Sequence, residues 1–74
     1  MTEEGGLSMI SARNQLKGTV KYVTLGTVMA EVVMDVGGTE VVAAITRHSS
    51  EAMDLKEGDR VTALIKATEV IVQK

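Results

Sequence analysis

"TVMAEVVMDV", residues 27–36, is the stretch whose periodicity sets the fold class. Val28, Ala30, Val32, Met34 and Val36 fall on one side of an extended chain, and Thr27, Glu31 and Asp35 share the other with Met29 and Val33. Successive side chains of an extended chain point to opposite faces, so this alternation predicts a strand with one face in a core. Gly26 marks the turn before it. Gly37 and Gly38 follow, a pair that tolerates positive φ at both central positions of a tight hairpin turn. The next run, "TEVVAAIT" at 39–46, is nearly continuous apolar sequence and predicts a central strand, so the two runs read as a hairpin.

Upstream, "QLKGTVKYVTL" at 15–25 is ambiguous, because Leu16, Val20 and Val23 also match helical spacing. Gly18 and the β-branched Thr19, Val20, Val23 and Thr24 favour a strand. Downstream, "RHSSEAMDLKEGD" at 47–59 changes character. Ser49 or Ser50 suits a helix cap, Glu51 suits the positive N-terminal end, Ala52, Met53 and Leu55 form a small apolar patch, and Gly58 fits a stop. A helix of two turns or fewer is expected there. "RVTALIK" at 60–66 then alternates Val61, Ala63 and Ile65 against Arg60, Thr62 and Lys66, with Leu64 making the second face partly apolar. After "KAT", the run "EVIVQ" at 69–73 predicts a last strand. The chain is therefore read as all-β. Its expected form is a small five-stranded Greek-key barrel with one short helix between strands three and four, the connectivity of the OB-fold.

The 74 residues are expected to form one domain over residues 7–74, behind a polar leader, "MTEEGG" at 1–6, expected to be disordered. A domain of this size buries only about 60% of the surface its unfolded chain exposes, and small chains compensate with disulfides, a metal or association. There is no cysteine, and His48 with scattered carboxylates gives no metal-ligand cluster. The core must be aliphatic, since there is no Phe or Trp and only one Tyr. Burying strand faces against a second copy remains, so a homo-oligomer is expected. No apolar run approaches the roughly 20 residues of a membrane span, and no signal-peptide pattern is present, which makes the cytoplasm the default location.

Several function classes fit poorly. With no cysteine and His48 as the sole imidazole, a nucleophilic triad would need His48 beside Ser49 or Ser50 on one loop, where adjacent side chains lack the geometry. Gly37 and Gly38 have neither the spacing nor the following helix of a phosphate loop. Tyr22 alone cannot supply the stacking platform of a single-strand nucleic-acid binder. The net charge is −2, yet between Gly5 and Ala30 the only charged residues are Arg13, Lys17 and Lys21. That is too little for a nucleic-acid face, but enough for a small anion.

What remains is "SARNQ" at 11–15 with "KAT" at 66–68, each at a strand edge where small residues let a ligand approach the backbone. Ser11 and Thr68 offer hydroxyls, Arg13 a planar fork of donors, and Lys66 a compact positive charge. Backbone N–H groups of Ala12 and Ala67 extend the set. A tetrahedral dianion presents only acceptors, so a donor-only site with about two positive charges matches it. The competing reading pairs Arg13 with Glu69 or Asp35 and leaves Lys66 as a solvated strand residue, and spacing alone does not decide between them.

The runs "SARNQLKGTV" at 11–20 and "LKEGDRVTALIKATEVIV" at 55–72 resemble the molybdate-binding Mop module, also called the molbindin or TOBE domain, in the same order and at the same separation. The resemblance spans nearly the whole chain, from about Met9 to Val72. It implies an OB-like barrel that exchanges strands between subunits, a homohexamer built as a trimer of dimers, and molybdate or tungstate ions bound at subunit interfaces. It places Ser11, Ala12, Arg13, Lys66, Ala67 and Thr68 at the oxyanion, with Lys66 reaching Arg13 from a neighbouring subunit or the other end of the barrel. Thr46 matches a further hydroxyl position, and Asn14 and Gln15 brace the turn. Family members often carry serine where this chain has Ala67, which removes one hydroxyl. The module occurs fused to a DNA-binding regulator, attached to a transport ATPase, or alone. With no space for a DNA-reading helix pair and no nucleotide motif, the last setting is implied here: a cytoplasmic molybdate or tungstate store. Such a store is no enzyme, has no cofactor or nucleic-acid or membrane partner, and holds metal only as the oxyanion. The other reading is a structural assembly module without selective oxyanion binding.

Overall fold

Four antiparallel strands and one short helix follow one another in the computed structural model, which describes residues 12–74. The expected leader at 1–6, and Ser11, lie outside the described residues. The elements are β1 (Asn14–Leu25), β2 (Met29–Val36), β3 (Thr39–Thr46), α1 (Arg47–Ala52) and β4 (Arg60–Ile65). They form one sheet in the order β3-β2-β1-β4. β1 is the common strand: residues 14–19 pair with β4 and residues 19–25 pair with β2.

The helix-like spacing of Leu16, Val20 and Val23 is that of a bulged strand. Val20 pairs with Met34 and Tyr22 with Val33, so Lys21 is an extra residue in the ladder. Leu16 and Val20 share a face by alternation, and the extra residue returns Val23 to that face. Val20, Val32, Met34 and Ala63 form the buried cluster, with Leu16, Val23, Ile45, Leu55 and Val61 packed against it. The predicted face of β2 holds for Ala30, Val32 and Met34, but Val28 lies outside the strand and is 69% exposed. Val33, expected on the polar face, is buried, flanked in register by Tyr22 and Val42.

Gly37 and Gly38 have φ of 57° and 90°, and they join Val36 to Thr39 in the two-residue hairpin loop that the sequence predicts. The Gly38 N–H donates to Asp35 Oδ1 at 3.1 Å. The helix begins earlier than expected. Thr46 is its cap, still extended at φ −71° and ψ 148°, and its Oγ1 accepts the Ser49 N–H at 3.0 Å. A cap hydroxyl serves an N–H two or three residues on, so Ser49 and Ser50 fall inside the first turn. The helix stops at Ala52, and Gly58, at φ 93°, instead serves the turn at 56–59 that leads into β4.

The fifth strand does not form in the single chain. A 3-10 turn over Ala67–Glu69 follows β4, residues 70–74 carry no strand, and Ile71 and Val72 are 91% and 90% exposed. A strand needs a neighbour to take its backbone hydrogen bonds, and the turn carries residues 70–74 off β4 without offering one. The expected Greek-key barrel is therefore an open sheet here, with β3 and β4 as its edges.

β1 and β2 approach so closely at Gly18 that a Cβ there would lie 2.6 Å from Asp35 O and 2.8 Å from Val36 Cγ2. The first of these is a backbone oxygen held in the ladder, so the strands would have to move apart. Gly18→Ala is expected to lose about 1–3 kcal/mol of stability, typical of overpacking, seen as a lower urea midpoint at matched chain concentration. An unchanged midpoint would contradict this approach of the strands.

Candidate anion-binding site

The β1–β4 ladder ends with Asn14 opposite Ile65, and the Asn14 Nδ2 amide donates to the Ile65 carbonyl at 3.1 Å. One step further out come Arg13 and Lys66. Two motifs some 51 residues apart thus become neighbours on paired strands of the same chain, so Lys66 need not come from a neighbouring subunit to stand beside Arg13. Ala12 is buried, whereas Arg13, Lys66, Ala67 and Thr68 are exposed.

Lys66 is extended, at φ −64° and ψ 141°, and caps the 3-10 turn, whose closing bonds run from the Glu69 N–H to Lys66 O (2.9 Å) and from the Val70 N–H to Ala67 O (3.4 Å). The N–H groups of Ala67 and Thr68 open that turn and have no backbone acceptor among the described residues. Alanine at 67 leaves the backbone there uncovered. The arrangement is a strand end carrying a guanidinium, an ammonium, a hydroxyl and main-chain N–H groups.

Charge pairing separates these cations from others nearby. Among the described residues the ion pairs are Lys21 with Glu40 (2.7 Å), Arg47 with Glu51 (3.0 Å) and Lys56 with Asp54 (3.0 Å). The hydrogen bond and charge of Glu40 raise the Lys21 pKa above its ordinary value, and Asp54 does the same for Lys56. Of the three cations in the N-terminal third, Lys21 is therefore engaged. Arg13 forms no ion pair with Glu69 or Asp35, and Asp35 holds the Gly38 N–H instead.

Thr46 lies elsewhere. It pairs with Met29 across β2–β3, at the corner beyond the far end of β1 from Arg13. There its Oγ1 donates to Ser49 Oγ at 2.8 Å while accepting the Ser49 N–H. Arg47 fixes this corner, its N–H bonding Val28 O at 2.7 Å and its Nη1 bonding Gly26 O at 3.2 Å. Ser49, one of the two expected helix caps, instead serves as the hydrogen-bond partner of Thr46 in the first turn. The three-residue spacing from Thr46 was the signal that pairs them. His48 is exposed, within α1. No group of three or more His, Cys, Asp or Glu is placed to hold a metal ion, and no helix is long and apolar enough to cross a membrane, among the described residues.

Comparison with known proteins follows the same geometry. The TOBE domain family matches residues 10–72. Molybdenum-pterin-binding protein 3 of Clostridium pasteurianum is 50% identical over 64 residues, covering 85% of this chain and 94% of that protein. Among solved structures, a molybdate binding protein from Sporomusa ovata superposes with a TM-score of 0.85 at 60% identity, covering 88% of this chain and 97% of that one. The cytoplasmic molybdate-binding protein ModG, in a crystal form with molybdate bound, superposes with a TM-score of 0.80 at 44% identity, covering 84% of this chain and 45% of that one. Matched by that family's model over most of its length and half identical to one such relative, the chain belongs to the TOBE domain family.

Proposed function

We propose that this protein binds molybdate or tungstate and stores it in the cytoplasm, at sites completed between copies of a homo-oligomer. The observation that carries this reading is the placement of Arg13 beside Lys66, both exposed, with main-chain N–H groups next to them. Both oxyanions are tetrahedral dianions that only accept hydrogen bonds, and charged donors bind them about twice as strongly as neutral ones. Ser11, Ala12, Arg13, Lys66, Ala67 and Thr68 form one half of the site. Residues 7–74 act as one binding module, and no bond of the substrate is made or broken.

Thr46 supports the interface. It lies at the far corner of the sheet from Arg13, so its hydroxyl reaches the ion from a second copy. The exposed apolar residues Val70, Ile71 and Val72 supply the fifth strand by pairing with an open sheet edge of another copy, which closes each barrel. Repetition of that exchange with a threefold contact gives a hexamer, a trimer of dimers. Ala67 lowers the hydroxyl count by one and leaves Thr68 and Thr46 as the hydroxyl donors beside Ser11.

Ile71→Asp combined with Val72→Asp is expected to lower the sedimenting mass and weaken molybdate retention together. An unchanged mass would contradict strand exchange. Arg13→Ala and Lys66→Ala are each expected to lose about 1.5–3 kcal/mol of binding, roughly tenfold to a hundredfold in affinity, read by equilibrium dialysis with labelled molybdate. Unchanged retention in both variants would place the site elsewhere. The exposed apolar tail also fits a second reading, an assembly module alone. That reading predicts no preference for molybdate or tungstate over sulfate in the same dialysis.

A further inference from the structure

The connection from α1 to β4 carries the chain's negative charge. Residues 51–59 hold four carboxylates, Glu51, Asp54, Glu57 and Asp59, against one ammonium, Lys56, so this stretch is −3 in a chain of net charge −2. Between it and residues 22–25 of β1 lies an open groove of about 430 Å³. Its floor is apolar: Val23 and Leu55 are half-buried, and Tyr22 and Leu25 stand 50% and 49% exposed. Its rim carries Glu51, Asp54 and Glu57 beside Lys56.

The backbone of the connection holds the rim in place. Asp54 is left-handed at φ 52°, its N–H bonds Glu51 O at 3.0 Å, and the Leu55 N–H bonds Ser50 O at 3.2 Å. Two of the rim carboxylates are in ion pairs, Glu51 with Arg47 and Asp54 with Lys56, and both pairs are exposed to solvent. Pairs of that kind hold little energy and are readily exchanged for another cation. Ser50 adds an independent feature. It is 3% exposed and lines the same groove, and no side-chain hydrogen bond among the described residues uses its hydroxyl. A buried hydroxyl without a partner costs stability, and an occupant that brings an N–H supplies one.

We propose that this groove is a docking site for a basic segment of another protein. An aliphatic side chain of that segment seats on Tyr22, Val23, Leu25 and Leu55, and its lysine or arginine side chains lie along the carboxylate rim. Charge complementarity selects this occupant, since a nucleic acid or an anionic lipid surface is repelled by the rim. A bare metal ion fits poorly, because no group of three or more His, Cys, Asp or Glu is placed to hold one among the described residues. Nine residues of strand, about 30 Å at roughly 3.3 Å each, separate Tyr22 from Arg13. A bound segment therefore leaves the Arg13–Lys66 end open, and partner and dianion can be held together.

The proposal does not depend on the reading of the chain as an oxyanion binder, so the two are tested apart. Tyr22, the chain's only aromatic, reports on the groove by its own fluorescence. The probe is a capped hexapeptide, Arg-Lys-Leu-Leu-Lys-Arg, compared with Arg-Lys-Ser-Ser-Lys-Arg of equal charge, at about 0.15 M salt, where distant charges are screened. The leucine peptide is expected to change Tyr22 emission saturably, and the serine peptide to bind about tenfold or more weakly. Asp54→Asn with Glu57→Gln is expected to weaken the leucine peptide about fivefold, with sedimenting mass and molybdate retention unchanged, since asparagine tolerates the positive φ at 54. Equal responses to the two peptides, or equal competition by spermidine, would reduce the groove to charge alone and overturn the proposal. Unchanged affinity in the variant would overturn it too, and a lowered sedimenting mass would do so by making the groove a contact between copies. The peptide comparison uses the unaltered chain, so it decides the matter even where the variant is destabilised.

Discussion

The antiparallel ladder between β1 and β4 is the contact on which the rest of the structure depends. It ends at Asn14 and Ile65, where the Asn14 amide reaches across to the Ile65 carbonyl. Arg13 precedes a strand and Lys66 follows one, and although the 3-10 turn shapes the second motif locally, nothing local sets one motif beside the other. The ladder fixes both at once, and the side-chain bond from Asn14 secures its last step. Net, a hydrogen bond of this kind is worth about 0.5–1.5 kcal/mol, which is modest as stability but decisive for position, because it sits directly behind the two cations.

The same strand also organises the small core of the single chain. β1 serves two partners by bending at the Lys21 bulge, and its inward residues Leu16, Val20 and Val23 gather β2 and β4 into one small aliphatic core. A fully buried aliphatic side chain contributes about 1.5–3 kcal/mol, and few residues here are fully buried. Exposed Ile71 and Val72, together with two open sheet edges, are apolar surface and backbone groups awaiting a neighbour. In the proposed oligomer, the association that covers them would also bring a second Thr46 toward the first chain's cations. Stability and ligand binding then draw on one contact.

Much of this was legible in the residues. The hairpin of β2 and β3 followed from alternation and the Gly37-Gly38 pair, both local signals. β1 was harder, because a bulge changes the period from two to three at one point and imitates a helix. The cap is Thr46, not Ser49 or Ser50, because the cap is set by the last extended residue, which depends on where β3 ends. The expected fifth strand rested on the β-branched residues 70–72, but pairing is a property of neighbours, and the single chain gives residues 70–74 none, so it does not form. Arg13 and Lys66 were expected together at one anion from either the same or a neighbouring chain, and it is the β1–β4 register that sets them side by side within one chain.

The most direct measurement is a crystal structure with tungstate, locating the tungsten by its anomalous scattering. The account predicts a tungstate oxygen within about 2.7–3.2 Å of the Arg13 guanidinium and another within similar reach of the Lys66 ammonium of the same chain, with Thr46 of a second copy completing the shell. Tungsten bound elsewhere, with Arg13 and Lys66 each paired to a carboxylate, would contradict it.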